Sequence, residues 1–138
     1  MRRRLQVAID CFDATRLAAF WIEVLGYRQS APPGHESWSA FSAAEAHEPG
    51  ESWHRIEDPD GVGPTLLFHR VPEQKAVKNR LHLDIFLVDN SSPDHRDAVI
   101  AEAVRLVDLG ASRVRNVDAD DDFYIVMQDP EGNEFCIA

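Results

Sequence analysis

The strongest constraint on this chain is that its order of elements runs twice within 138 residues. Asp58-Pro59-Asp60-Gly61 and Asp129-Pro130-Glu131-Gly132 share one turn pattern, each placed just before the last strand of its half. Asp13 with Asp89, and Leu25-Gly26 with Leu109-Gly110, complete the matched pairs. A lone Asp-Pro-x-Gly turn is common and says little. Two copies at the same place in two like-ordered halves specify a duplicated β-α-β-β-β unit, whose sheet cannot cover both of its faces alone.

In the first half, alternation over residues 5–12 predicts a strand with Leu5, Val7, Ile9 and Cys11 on an apolar face and Gln6, Ala8 and Asp10 on a mixed one. Asp13 or Thr15 then caps a helix in which Leu17, Phe20, Trp21, Val24 and Leu25 recur at helical spacing until Gly26 stops it. A strand beginning at 27–30 is interrupted by Pro32-Pro33-Gly34, and the stretch to about residue 52 reads as loop around a short strand at 38–42. Residues 53–56 and 65–71 read as a hairpin around the Asp58 turn. The polar, lysine-bearing segment 72–79 suits a connection.

In the second half, a strand over 81–88 sets Leu81, Leu83, Ile85 and Leu87 against His82, Asp84 and Phe86. A helix over 94–109 is expected to bury Ile100, Ala103, Val104 and Val107 and to stop at Gly110. Strands at 111–117 and 123–128 flank an acidic turn at 118–122, and 133–137 is the last strand. The expected organisation is one α+β domain over 1–138, with module 1 over about 4–71, a linker over about 72–79 and module 2 over about 80–138.

Composition narrows the partners. With 44% hydrophobic and 28% charged residues the chain is an ordinary globular one, neither disordered nor collagen-like. Lys plus Arg number 14 against 24 Asp plus Glu, giving −10, a field that repels phosphate backbones and anionic lipid. Nucleic acid and membrane surfaces are therefore not expected partners. No apolar run reaches membrane-spanning length and the segment after Arg2 to Arg4 is too short for a signal-peptide core, so a cytoplasmic location is expected. Cys11 and Cys136 form no C-x-x-C pair, and reduced, buried thiols are the expectation.

The sequence resembles the vicinal oxygen chelate superfamily, which includes glyoxalase I, extradiol dioxygenases and bleomycin-resistance proteins, and is closest to its short glyoxalase-like domains. The resemblance runs from Val7 to Ile137 and rests on Leu17-Ala18-Ala19-Phe20-Trp21 with Val24-Leu25-Gly26-Tyr27, on Leu81-His82-Leu83-Asp84, on Leu109-Gly110-Ala111, and on Asp129 to Phe135. It implies two β-α-β-β-β modules whose mixed sheet curls into a cup, with helices outside and a small-molecule site inside. Gln6, Asp10, His82, Asp84 and Glu134 then line the cup as ligand-binding residues.

Metal-dependent members take four ligands from the first and last strands of the two modules, typically His or Gln, Glu, His and Glu, holding a divalent transition metal. With Asp13 and Asp89 fixing the alignment, the resemblance puts Gln6 at the first ligand position and His82 at the third. The fourth lands on Cys136, where a Glu is usual, with Glu134 two residues earlier on the same face. The second falls near Leu67 or Phe68, where no carboxylate stands. His69 could substitute only if Leu67 enters the cup and Phe68 does not.

His35, His47 and His54 match no zinc or iron spacing and read as solvated loop residues. Trp38, Phe41 and Trp53 either roof the cup or fill core. Asp118, Asp120, Asp121 and Asp122 lack the Gly and Glu of a calcium loop and read as a solvated turn. Asp10 and Glu134, if both line the cup, could serve as general base and acid. Three functions follow: a small-molecule binder with an incomplete metal site and no cofactor; a metal-dependent lyase, isomerase or dioxygenase using His82, Gln6 and an irregular ligand; or a ligand-free interaction domain. A homodimer is compatible with each, since such modules often complete a site across a two-fold.

Overall fold

In each half of the chain the first and last strands lie side by side and parallel, and everything between them is the crossover that parallel pairing requires. The computed structural model describes residues 4–32, 34–37, 53–87, 93–119 and 122–138. The short strand expected at 38–42, together with Trp38, Phe41, His47, Asp120 and Asp121, lies outside the described residues. The chain divides into two compact units, 1–74 and 75–138.

Unit 1 runs β1 (Gln6–Cys11), α1 (Ala14–Leu25), β2 (Arg28–Ser30), β3 (Trp53–Glu57) and β4 (Thr65–Arg70), with the sheet in the order β1-β4-β3-β2. Asp13 is the N-cap of α1, its carboxylate accepting the Arg16 N–H at 3.0 Å. Gly26 ends the helix at φ 64°, a left-handed conformation that glycine adopts without penalty. Leu17, Phe20 and Trp21 of α1 are buried and the helix packs on β3 and β4, where Ile56, Leu66 and Phe68 close the core. Phe20 and Trp21 meet edge to face at 5.6 Å.

Unit 2 repeats the plan with β5 (Leu83–Ile85), α2 (His95–Asp108), β6 (Ser112–Ala119), β7 (Asp122–Gln128) and β8 (Glu134–Ile137), in the order β5-β8-β7-β6. Two four-stranded mixed sheets, each with a helix, therefore make an α+β fold. The core of unit 2 is Val99, Ala103 and Leu106 of α2 against Phe123, Ile125, Met127, Phe135 and Ile137.

Several expectations need correction. The buried stripe of α2 is His95, Val99, Ala103 and Leu106, while Val104 and Val107 are 57% and 45% exposed. His95 sets this rotation: it is buried at the start of the helix, and its Nε2 donates to the Phe123 carbonyl at 2.9 Å. Leu5 and Leu81 do not pack on helices, being 69% and 62% exposed, because pairing begins only at Gln6 and Leu83. Asp118 lies within β6, paired with Phe123, and Asp122 starts β7, so neither belongs to a turn.

The two matched turns are built alike. Asp58 accepts the N–H groups of Asp60, Val62 and Gly63 at 2.9, 3.0 and 2.7 Å, which holds its carboxyl below the usual range. Asp129, buried, accepts the N–H groups of Glu131 and Asn133, each at 2.9 Å, and the Asn133 side-chain amide. Replacing Asp129 by alanine strands these donors, so Asp129→Ala is expected to cost about 1–3 kcal/mol of unfolding free energy, with Asp129→Asn costing less. Urea unfolding of the two variants checks this ordering; equal stability of Asp129→Ala and the parent would contradict it.

Candidate functional site

Strand register decides which side chains share a face, because partners directly across a pair point the same way and successive residues alternate. In unit 1, Gln6 pairs with Thr65, Ala8 with Leu67 and Asp10 with His69. Leu66 and Phe68 are buried beneath the sheet on the α1 side, so Leu67 and His69 stand on the opposite, open face with Gln6 and Asp10. The condition for His69 is thereby met. Its Nδ1 lies 3.4 Å from Asp10 Oδ1, and the Trp53 indole stacks on its ring at 3.8 Å and 13°.

Gln6 accepts from the Thr65 hydroxyl at 3.4 Å. It borders a cleft of about 670 Å³ that also takes in Arg4, Arg28, Arg55 and Glu57. Glu57 is 3.1 Å from Arg28 and 4.0 Å from Arg55, and Asp58 and Asp60 also line the cleft, so its guanidinium groups are matched by carboxylates. His54, expected in a solvated loop, sits instead in β3 between Thr15 Oγ1 at 3.0 Å and Gln29 Nε2 at 3.2 Å. Burial pulls its pKa down against the opposing charge of Asp13.

In unit 2, Asp84 pairs with Cys136 and Ile85 with Ile137, which puts His82 and Glu134 together one step earlier on the same open face. His82 Nε2 is 3.1 Å from Glu134 Oε2, and His82 Nδ1 is 3.9 Å from Cys136 Sγ. Lys78 donates its ammonium to that same Glu134 oxygen, and this bond, with the charges of Lys78, His82 and Lys75, holds the carboxyl below its usual range. Cys136 is half-buried rather than buried; desolvation, with a hydrogen bond to Asp84 and its negative charge, pushes the thiol up to about 11. The arrangement thus joins His82, Asp84, Glu134 and Cys136 within unit 2, while Gln6 and Asp10 stand on unit 1 with Thr65 and His69.

Lys78 did not stand out in sequence because its partner is 56 residues away. By register, Leu67 and Cys136 occupy equivalent places, each paired with the residue two beyond Gln6 or His82. These residue types match a four-ligand divalent set incompletely: Leu67 offers a hydrocarbon where a donor is needed, and an ammonium already neutralises Glu134. Among the described residues no group of three or more His, Cys, Asp or Glu is placed to hold a metal ion. No described helix is long and apolar enough to cross a membrane.

A duplicated β-α-β-β-β plan with polar groups on the face away from the helices is the architecture of the vicinal oxygen chelate group. The chain belongs to the glyoxalase-like domain family, which it matches over residues 6–138. Among solved structures it is similar to a glyoxalase/bleomycin resistance protein/dioxygenase family enzyme from Burkholderia phytofirmans PsJN, with 16% identity over 96% of this chain and 94% of that one and a TM-score of 0.64. It is also similar to the fosfomycin resistance protein FosX from Mesorhizobium loti (14% identity, 99% and 90% coverage, TM-score 0.65). A FosX mutant from Listeria monocytogenes, complexed with Mn(II) and 1S,2S-dihydroxypropylphosphonic acid, matches at 9% identity with 99% and 89% coverage and a TM-score of 0.66. No curated protein matches.

The Cys136 environment gives a direct test. The unfolded thiol ionises near 9.0 and the folded one near 11, so the folded state keeps its proton to higher pH. The contribution of Cys136 to stability is therefore intact below pH 9.0 and is lost as pH rises towards 11. Thiolate absorbance, compared with that of Cys136→Ser, should show Cys136 titrating late in the folded protein, and Asp84→Asn should bring its midpoint part of the way back towards 9.0. An unchanged midpoint in Asp84→Asn would contradict the share of the shift assigned to Asp84.

Proposed function

We propose that this glyoxalase-like protein binds a small polar molecule on the open face of unit 2, at His82, Asp84 and Glu134, without a catalytic metal. The observation that carries this reading is the Lys78 ammonium on Glu134 beside His82. That ammonium already satisfies Glu134, a carboxylate that could stand in for the Glu absent at Cys136, and a second cation there would be repelled. Gln6 and Asp10 offer a further polar surface on unit 1, where the Asp10–His69 pair and the face of Trp53 suit a planar or hydrogen-bonding ligand. The ligands named for the FosX structure belong to that protein; what carries over is the class, a small molecule bound at polar side chains of this fold.

One observation favours the metal-dependent alternative: an imidazole and a carboxylate lie within 3.1 Å of each other on adjacent strands. In that reading His82 and Glu134 of unit 2 would be ligands, with Cys136 the irregular one, supporting lyase, isomerase or dioxygenase chemistry. Elemental analysis of protein purified without an affinity tag separates the two. The binder reading expects only trace transition metal in the parent and in His82→Ala. It also expects a small polar ligand found by thermal shift to raise the parent's melting temperature and to do so less in His82→Ala. Near-stoichiometric metal in the parent, lost in His82→Ala, would overturn it in favour of the metalloenzyme.

A further inference from the structure

The sheet of unit 2 ends on its longest strand. β6 covers eight residues and stands last in the order β5-β8-β7-β6, so β7 pairs with one of its edges and no described strand pairs with the other. Two other strands that end a sheet, β2 and β5, have three residues each, a length that limits edge pairing. β6 lacks that protection, and it contains no proline or lysine. Residues 112–116 and Asp118 are all exposed. A free edge of this kind accepts another strand through its unpaired N–H and C=O groups.

The pattern of side chains along that edge is self-complementary. Arg113 lies opposite Met127, Asn116 opposite Ile125 and Asp118 opposite Phe123, three residues buried against α2, so Arg113, Asn116 and Asp118 share the helix side. Val117, opposite Tyr124, points to the other face. The register shifts between Arg113 and Arg115, so Val114 is the extra residue of a bulge and 114 and 115 together fill one place of the pleat. A side-chain contact agrees with this count: Arg113 Nε and Nη2 donate to Asn116 Oδ1 at 2.8 and 2.6 Å, as next neighbours on one face can. The strand therefore has Asn116 at its centre, Arg113 two places before it and Asp118 two places after it. An identical strand turned end for end about Asn116 sets Arg113 against Asp118 and Val117 against the bulge, each on a matching face.

We propose that β6 is the pairing edge of a homodimer, in which two copies of unit 2 join β6 to β6, antiparallel about a two-fold axis at Asn116, into one continuous sheet. The charges favour a second copy as the partner, because each copy supplies both halves of the contact. Arg113 keeps three N–H groups beyond the two given to Asn116. Asp118 accepts from Arg96 through Oδ2 at 2.5 Å, which leaves Oδ1 to accept from the second copy. The dimer thus gains two Arg113–Asp118 pairs and keeps both existing contacts. An in-register parallel pairing would instead set Arg113 against Arg113 and Asp118 against Asp118.

These pairs give a mixing test on the full chain. Sedimentation equilibrium of the parent should show a monomer–dimer equilibrium, and amide exchange over 112–118 should slow as protein concentration rises. Arg113→Asp and Asp118→Arg should each weaken the dimer about thirtyfold, since both symmetric contacts turn from attraction to repulsion. Mixed in equal amounts, the two variants should regain parental affinity as a heterodimer, because every acidic place then meets a basic one.

A parent that stays monomeric at millimolar concentration overturns the proposal and assigns the bulge and the arginines to shielding this edge. A dimer whose 112–118 amides exchange at one rate at every concentration also overturns it and places the contact elsewhere. So does a mixture of the two folded variants that remains monomeric. Asp118→Arg removes the partner of Arg96; if that variant does not fold, Arg113→Asp decides, and full dimer affinity in it overturns the proposal.

Discussion

The side-by-side pairing of each unit's first and last strands is the constraint on which the site depends. Because side chains alternate with a period of two, a slip of one residue between β5 and β8 would turn Glu134 and Cys136 towards α2 and bring Phe135 and Ile137 to the open face. The buried Asp129 carboxylate guards against that slip. By gathering the amides of Glu131 and Asn133 it fixes the residue at which β8 begins, and so fixes which carboxylate meets His82. In this protein a turn at the start of β8 sets the chemistry of the open face.

The duplicated plan does not produce two equal sites. At equivalent register positions unit 1 carries Gln6, Ala8, Thr65 and Leu67, and unit 2 carries His82, Asp84, Glu134 and Cys136. The first set is uncharged and makes little more than one hydroxyl-to-amide hydrogen bond. The second is a chain of ionisable groups whose charges are met by Lys78 from outside the sheet. Unit 1 keeps its own polar pair further along the strands, where Asp10 and His69 lie under Trp53. Electrostatic work is thus concentrated in one half, while both halves carry the same backbone.

Most of the fold is legible from local rules. The alternation of β1, the Asp13 cap, the Gly26 stop and the repeated turns each depend on residues near one another in sequence. The features that were not legible share a different character. The phase of α2 could not be read because Val104 and Val107 have the hydropathy of core residues, and only the long-range bond from His95 to Phe123 shows which side of the helix is held against the sheet. His54 looked like a loop histidine until Thr15 and Gln29, brought in from α1 and β2, closed around it. The position of His69 waited on the β1–β4 register, since the longer turn before Thr65 hides the count. Of the candidate site, the residue types at Gln6, His82 and Glu134 were visible, and the cation that changes their meaning was not.

The separation of each sheet into a face that packs on its helix and a face that does not has a consequence for how such a chain changes over generations. The packed side asks only for apolar bulk of suitable volume, a demand many sequences meet, so it can be rewritten gradually without altering the backbone. The other side is released from that demand altogether, and because the unit occurs twice, one copy can lose its chemistry while its twin retains or reinvents it. Solved structures that agree with this protein at 9–16% of positions share its fold at TM-scores of 0.64–0.66, which such a division permits.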